Sequence, residues 1–123
     1  MILGKLTPSR EAVVQLKVRG PSGVEADIAC VIDTGYTEYL TLPLTWIDAL
    51  GLIYADTSST TMADGSVVVI DLFEATIVWD GQARAIVADR MECAPLIGMS
   101  LLYDHLLMME VVDGGPVTIA PLP

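Results

Sequence analysis

The chain has 123 residues, with 16 acidic against 6 basic side chains and a formal net charge of -10. That length holds one domain of ordinary size with a real hydrophobic core, and the charge argues against nucleic acid or an anionic membrane surface as the main partner. All six cations fall at positions 5 to 19 or at 84 and 90, so residues 20 to 83 must manage their carboxylates without a local Lys or Arg.

The segment Ala12 to Arg19 alternates, with Val14, Leu16 and Val18 on one side and Gln15, Lys17 and Arg19 on the other, the period of a half-buried strand. Gly20-Pro21-Ser22-Gly23 is a turn cluster. Val24 to Asp33 resumes the alternation with Val24, Ala26, Ile28, Cys30 and Ile32 inward, which predicts a hairpin. A short strand is expected at Tyr39 to Leu42. Pro43 to Leu50 predicts a brief helix, with Pro43 in its first turn and Gly51 as its stop signal. Asp56 to Thr61 reads as a polar loop. Two β runs flank Asp64-Gly65 and a third follows Asp80-Gly81, because both positions of an Asp-Gly turn tolerate positive φ. A second short helix is expected from about Ser100 to Leu106. A last hairpin, Leu107 to Val112 and Val117 to Ala120, turns at Asp113-Gly114-Gly115. Sequential short strands with only two small helices predict an all-β, mostly antiparallel barrel or sandwich, with residues 1–123 as a single domain.

Several chemistries find no footing. Cys30 and Cys93 are too few and too far apart for a disulfide framework or a zinc site, and both read as buried free thiols. No cofactor and no metal are expected, since Gly20-x-x-Gly23 lacks the following Lys of a phosphate loop. The lone His105 lies in a Leu-rich segment without a carboxylate or cysteine at ligand spacing. It reads as structural, which leaves Ser-His or Cys-His catalysis without a base. The methionines, Met108-Met109 among them, read as core filling. No cationic leader precedes an apolar core, and no apolar run nears the roughly 20 residues that span a bilayer. A soluble cytoplasmic protein with no membrane or nucleic-acid partner is therefore the expectation.

Carboxylates remain, and most of them lie in turns or on polar strand faces. Asp33 differs because it closes an apolar strand, in the setting Val31-Ile32-Asp33-Thr34-Gly35. An ionisable group there is costly to bury unless it is paired or functional. Thr34 offers a hydroxyl and Gly35 a closely approaching amide, both able to fix a carboxylate. A bare Asp-Thr-Gly arises by chance in about one chain of this length in forty, so the tripeptide needs company. It has company in Asp64-Gly65 about thirty residues later and in Pro95-Leu96-Ile97-Gly98 ahead of the second predicted helix.

With these three features in this order, the sequence resembles the retropepsin-like aspartic peptidases, the single-domain relatives of retroviral proteases. The resemblance spans about residues 12 to 120 and is nearest to a bacterial branch whose signature is Asp-Thr-Gly-Phe, with Tyr36 in the fourth place here. It implies a retropepsin-like barrel and an endopeptidase in which two carboxyl groups share one proton and activate water. The chain has one such signature. Asp56-Thr57-Ser58 lacks the glycine and the apolar lead-in, so the resemblance implies a homodimer that brings together Asp33 from each subunit. It also implies that Thr34 bonds across the axis and that Gly35 donates a main-chain amide to the carboxylate. Met62, Ala63, Asp64 and Gly65 would belong to a flap over an extended polypeptide substrate, with Ile97 and Gly98 on the floor. Asp64 stands where many relatives have more glycine. The apolar C-terminal hairpin, Leu107 to Leu122, is the natural dimer strand pair, with Met108 and Val112 at the interface; an intramolecular edge hairpin is the other reading. Apolar pocket walls are expected from neighbours such as Ile32, Val67 and Ile97, and the acidic surface would favour basic or neutral substrates. Two further readings stay open from sequence alone. One is a dimeric retropepsin-like binding or regulatory module without cleavage, and the other is an unrelated β-barrel carrying the tripeptide by accident.

Overall fold

The computed structural model covers residues 1–123 and runs through β1 (Ile2–Leu6), β2 (Ala12–Arg19), β3 (Glu25–Ile32), β4 (Leu40–Leu42), α1 (Leu44–Leu50), β5 (Ile53–Thr61), β6 (Val67–Trp79), β7 (Gln82–Arg90), β8 (Leu96–Ile97), α2 (Met99–Leu102), β9 (His105–Met109) and β10 (Pro116–Pro121). All the strands join one sheet in the order β5-β6-β7-β4-β8-β3-β2-β1-β10-β9. An additional pairing of β6 with β2, Lys17 opposite Val78 and Arg19 opposite Thr76, closes the middle of that sheet into a barrel. Two arms extend from it. One is the long β5–β6 hairpin, and the other is the β1–β10–β9 layer, with β9 as an outer edge.

The predicted hairpin of β2 and β3 forms in antiparallel register, Val14 opposite Cys30 and Leu16 opposite Ile28, and these four side chains are buried. They meet Leu40, Leu42, Ile77 and Ile97 in the barrel and Ile47, Leu50 and Leu101 from the two helices. Each such side chain, fully buried, contributes about 1.5–3 kcal/mol relative to exposure. Burial of Ile47 and Leu50, three residues apart, seats α1 against the barrel, and Gly51 ends it in the left-handed region at φ 62°. Pro43 occupies the cap position with extended backbone rather than the first turn.

Several expectations are corrected. Asp56 to Thr61 is not a loop but part of β5. Its side chains are exposed, so no alternation betrays it, and backbone pairing with β6 from Thr57↔Asp71 to Thr61↔Val67 makes the strand. The second helix is shorter than expected, because Tyr103 leaves helical geometry and Asp104 takes a positive φ of 63°, which releases His105 into β9. Val24 is exposed at the turn instead of inward, Cys93 is exposed in the β7–β8 connection with its Sγ 3.8 Å from Thr41 Oγ1, and the methionines, Met108 and Met109 among them, are exposed instead of filling the core. Only Cys30 is a buried thiol, and burial pushes its pKa up to about 12. His105 is structural in the way expected: its Nε2 accepts the Trp79 indole N–H at 3.2 Å, and Nδ1 lies 2.7 Å from the Tyr103 carbonyl. No helix is long and apolar enough to cross a membrane.

Candidate active site

Asp33 follows the last residue of β3, at the point where the chain must leave the barrel wall. The parallel pairing of β3 with β8, Val31 opposite Leu96 and Ile32 opposite Ile97, continues one step further as Asp33 N–H donates to the Ile97 carbonyl at 2.9 Å. The chain then turns tightly. The Gly35 amide donates to Asp33 Oδ1 at 2.9 Å and the Tyr36 amide to the Asp33 carbonyl at 3.1 Å. Asp33 is half-buried as a residue and its carboxylate is oriented by its own turn, while Thr34 stands exposed beside it.

The Ile97-Gly98 element clasps this turn. Gly98 N–H donates to the Tyr39 carbonyl, Met99 N–H to the Tyr36 carbonyl at 2.8 Å, and Ser100 Oγ to the Thr37 carbonyl at 2.6 Å. A Cβ on Gly98 would overlap the Glu38 carbonyl and lie 2.6 Å from the Tyr36 ring, so only glycine lets the two segments approach. Ile97 itself is 0 % exposed. Its side chain belongs to the core, and what it offers the site is its backbone carbonyl. Thr41, fully buried, holds the same element from below by accepting Leu96 N–H at 2.9 Å.

The β5–β6 hairpin carries Met62, Ala63, Asp64 and Gly65 at its exposed tip. Asp64 Oδ1 accepts the Ser66 amide and hydroxyl at 2.9 and 2.6 Å, first among the causes that hold its carboxyl below the usual range. Gly65 alone takes positive φ there, at 85°, whereas both Asp80 and Gly81 do so in the β6–β7 turn. Val67 and Val69, on the arm behind the tip, are about two-thirds exposed. Apolar side chains in that state on a projecting hairpin suit contact with something laid beneath or against it.

A feature that sequence reasoning missed lies between this arm and the Asp33 turn. Asp89 on β7 is only 7 % exposed and accepts the Tyr36 hydroxyl at 2.6 Å on Oδ2. Burial raises its pKa most, the Tyr36 bond opposes this, and the nearby Glu38 adds to the rise. Burial, and after it the Asp89 bond, likewise pushes the Tyr36 phenol far up. Tyr36 thereby ties the Asp33 turn to β7. The one signal in the sequence was an acid in the strand Ala85-Ile86-Val87-Ala88-Asp89, away from any turn residue.

The topology now bears comparison with known proteins. No family profile matches the sequence, and no curated protein matches it. Among solved structures, the chain is similar to a retropepsin-like aspartic protease from Rickettsia conorii, with a TM-score of 0.57 and 13% sequence identity over 99% of this chain and 91% of that one. The chain has the retropepsin-like fold. Within that fold, Asp33, Thr34 and Gly35 lie together at the end of β3 with Gly98 packed against the same turn, while Met62 to Gly65 lie apart at the hairpin tip.

Proposed function

We propose that residues 1–123 form one aspartic peptidase domain that acts as a homodimer on polypeptide substrates, with Asp33 of each subunit contributing one carboxyl group. The observation that carries this reading is the Asp33 turn itself: a half-buried aspartate at the end of an apolar strand, its carboxylate fixed by the Gly35 amide in a retropepsin-like fold.

Two carboxyl groups about 3 Å apart cannot both ionise, so they hold one proton between them and titrate as a unit. The ionised member takes a proton from water as its oxygen attacks the scissile carbonyl. The protonated member hydrogen-bonds that carbonyl oxygen, and a proton then passes to the leaving amine as the C–N bond breaks. One chain supplies a single suitable aspartate, so the second comes from a partner related by a two-fold axis. The exposed Thr34 is free to bond across that axis. The outer strand β9 and the turn after it present Leu106, Met108, Val111 and Val112, each about half exposed or more, which fits a strand pair shared between copies. The hairpin tip at Met62 to Gly65 would close over the bound chain.

The test is digestion of denatured protein between about pH 3 and pH 7, where such a shared-proton pair operates, by the native chain and by Asp33→Asn. Cleavage by the native chain that the variant lacks is expected. Identical fragment patterns, or no cleavage by either, would remove the enzyme and leave a binding module of the same fold.

A further inference from the structure

The space between the β5–β6 arm, β7 and the segment Glu38-Tyr39 that follows the Asp33 turn is a groove of about 290 Å³. That is just below the roughly 300–1,000 Å³ of a pocket for a drug-sized ligand, and suits one side chain. Strand register explains its lining. Ser58 pairs with Ile70 and Leu72 pairs with Asp89, so these side chains share one face of the arm, with Thr60 and Val87 two residues along from Ser58 and Asp89. Glu38, from the turn that follows Asp33, faces them.

Three properties of this groove point the same way. Its walls combine aliphatic side chains with hydroxyls. It holds two carboxylates, Glu38 and Asp89, and no Lys or Arg lines it. Asp89 has one oxygen engaged by Tyr36 and no other side-chain partner, yet the chain has no fully enclosed polar side-chain atom without a partner. The second oxygen therefore retains access to the groove. Tyr39 also lines the groove, and Arg84 stacks 5.7 Å over its ring while itself lining a neighbouring cavity with Met99 and His105; Arg90 lies 3.5 Å from Glu92. Further along the arm the register sets Asp56 opposite Leu72, adding negative rather than positive charge. The raised carboxyl of Asp89 is what a buried acid lacking a counter-ion is expected to show.

We propose that this groove is a substrate subsite for a lysine or arginine side chain, its aliphatic stem against Leu72 and Val87 and its charged head between Asp89 and Glu38. This rests on the peptidase reading and names the substrate class that the same site prefers. Long basic side chains bury their stems while their heads pair with carboxylates, and removing a buried partner charge costs more than the pair is worth in isolation.

The experiment uses a fluorogenic octapeptide library in which each position carries lysine, norleucine or glutamate. Native chain is expected to prefer lysine over norleucine at one position by about tenfold in kcat/KM, with glutamate worse still. In the double variant Asp89→Asn with Glu38→Gln that preference should fall to within about twofold, and in Glu38→Gln alone it should fall part of the way, while retained cleavage of the norleucine peptides, which need neither carboxylate, reports that both variants fold. Asp33-dependent cleavage with no lysine preference at any position would overturn the subsite and leave the peptidase standing. If nothing is cleaved, the peptidase reading fails, and binding of the same peptides to the native chain decides the groove: a lysine preference abolished by the double variant supports it, and equal or no binding overturns it.

Discussion

Gly98→Ala is the sharpest probe of how the Asp33 turn is held. The added methyl would overlap the Glu38 carbonyl and sit 2.6 Å from the Tyr36 ring and 2.8 Å from the Tyr36 carbonyl. Two of these three neighbours are backbone, so relief requires the Tyr36–Glu38 segment to move. That motion strains the bonds from Met99 N–H to Tyr36 and from Ser100 Oγ to Thr37, and it tugs on the Tyr36–Asp89 pair. Overpacking alone costs about 1–3 kcal/mol, and weakening two hydrogen bonds adds about 1 kcal/mol each, giving about 3–5 kcal/mol. With a urea m-value of about 2 kcal/mol/M, the unfolding midpoint should fall by about 2 M. Gly65→Ala is the control, since its Cβ meets nothing within 4 Å and only the positive φ of 85° opposes it. That backbone cost is about 1–2 kcal/mol. Equal midpoints for the two variants would refute the clasp, because steric closeness at Gly98 would then have no energetic weight.

Two other outcomes test the buried polar groups. Asp89→Asn keeps an acceptor for Tyr36 and removes a charge whose pKa burial has raised, so the folded native chain binds that proton more tightly than the unfolded one and loses stability as the carboxyl ionises. The variant should therefore melt higher than the native chain at neutral pH, with the gap narrowing as pH falls toward the ordinary aspartate value of about 3.9; a gap independent of pH in thermal scans would contradict this. Thr41→Val strands the Leu96 amide and should cost about 1–3 kcal/mol in urea unfolding, with Thr41→Ser recovering most of it; equal losses in both would place the effect in packing instead of the hydrogen bond.

The barrel was legible where one face of a strand is buried, as in Val14, Leu16 and Val18 against Ile28 and Cys30. It was illegible where both faces meet solvent or where partners recruit a strand. β5 is exposed along its whole length and carries only polar side chains after Ile53, Tyr54 and Ala55, while β1 alternates in burial but has Gly4 at an inward position, where the missing side chain lets the Val13 carbonyl approach; neither sequence shows the apolar period that a half-buried strand imprints. Asp33 stood out because a charge ending an apolar run is rare. Asp89 did not, since its importance comes from a phenol 53 residues away in sequence. Ile97 shows the limit of motif reading. The motif marks the position, but its side chain turns into the core and only its carbonyl serves the Asp33 turn.

The proposed two-subunit site is tested most directly by mixing native chain with Asp33→Asn under conditions of subunit exchange and measuring peptide cleavage at constant native concentration. If each active site needs Asp33 from both copies, an equal amount of variant should lower activity to about half and a threefold excess to about a quarter, as random pairing into two-fold dimers requires. Activity that stays unchanged at every ratio would contradict the account, since each native chain would then carry a complete site of its own.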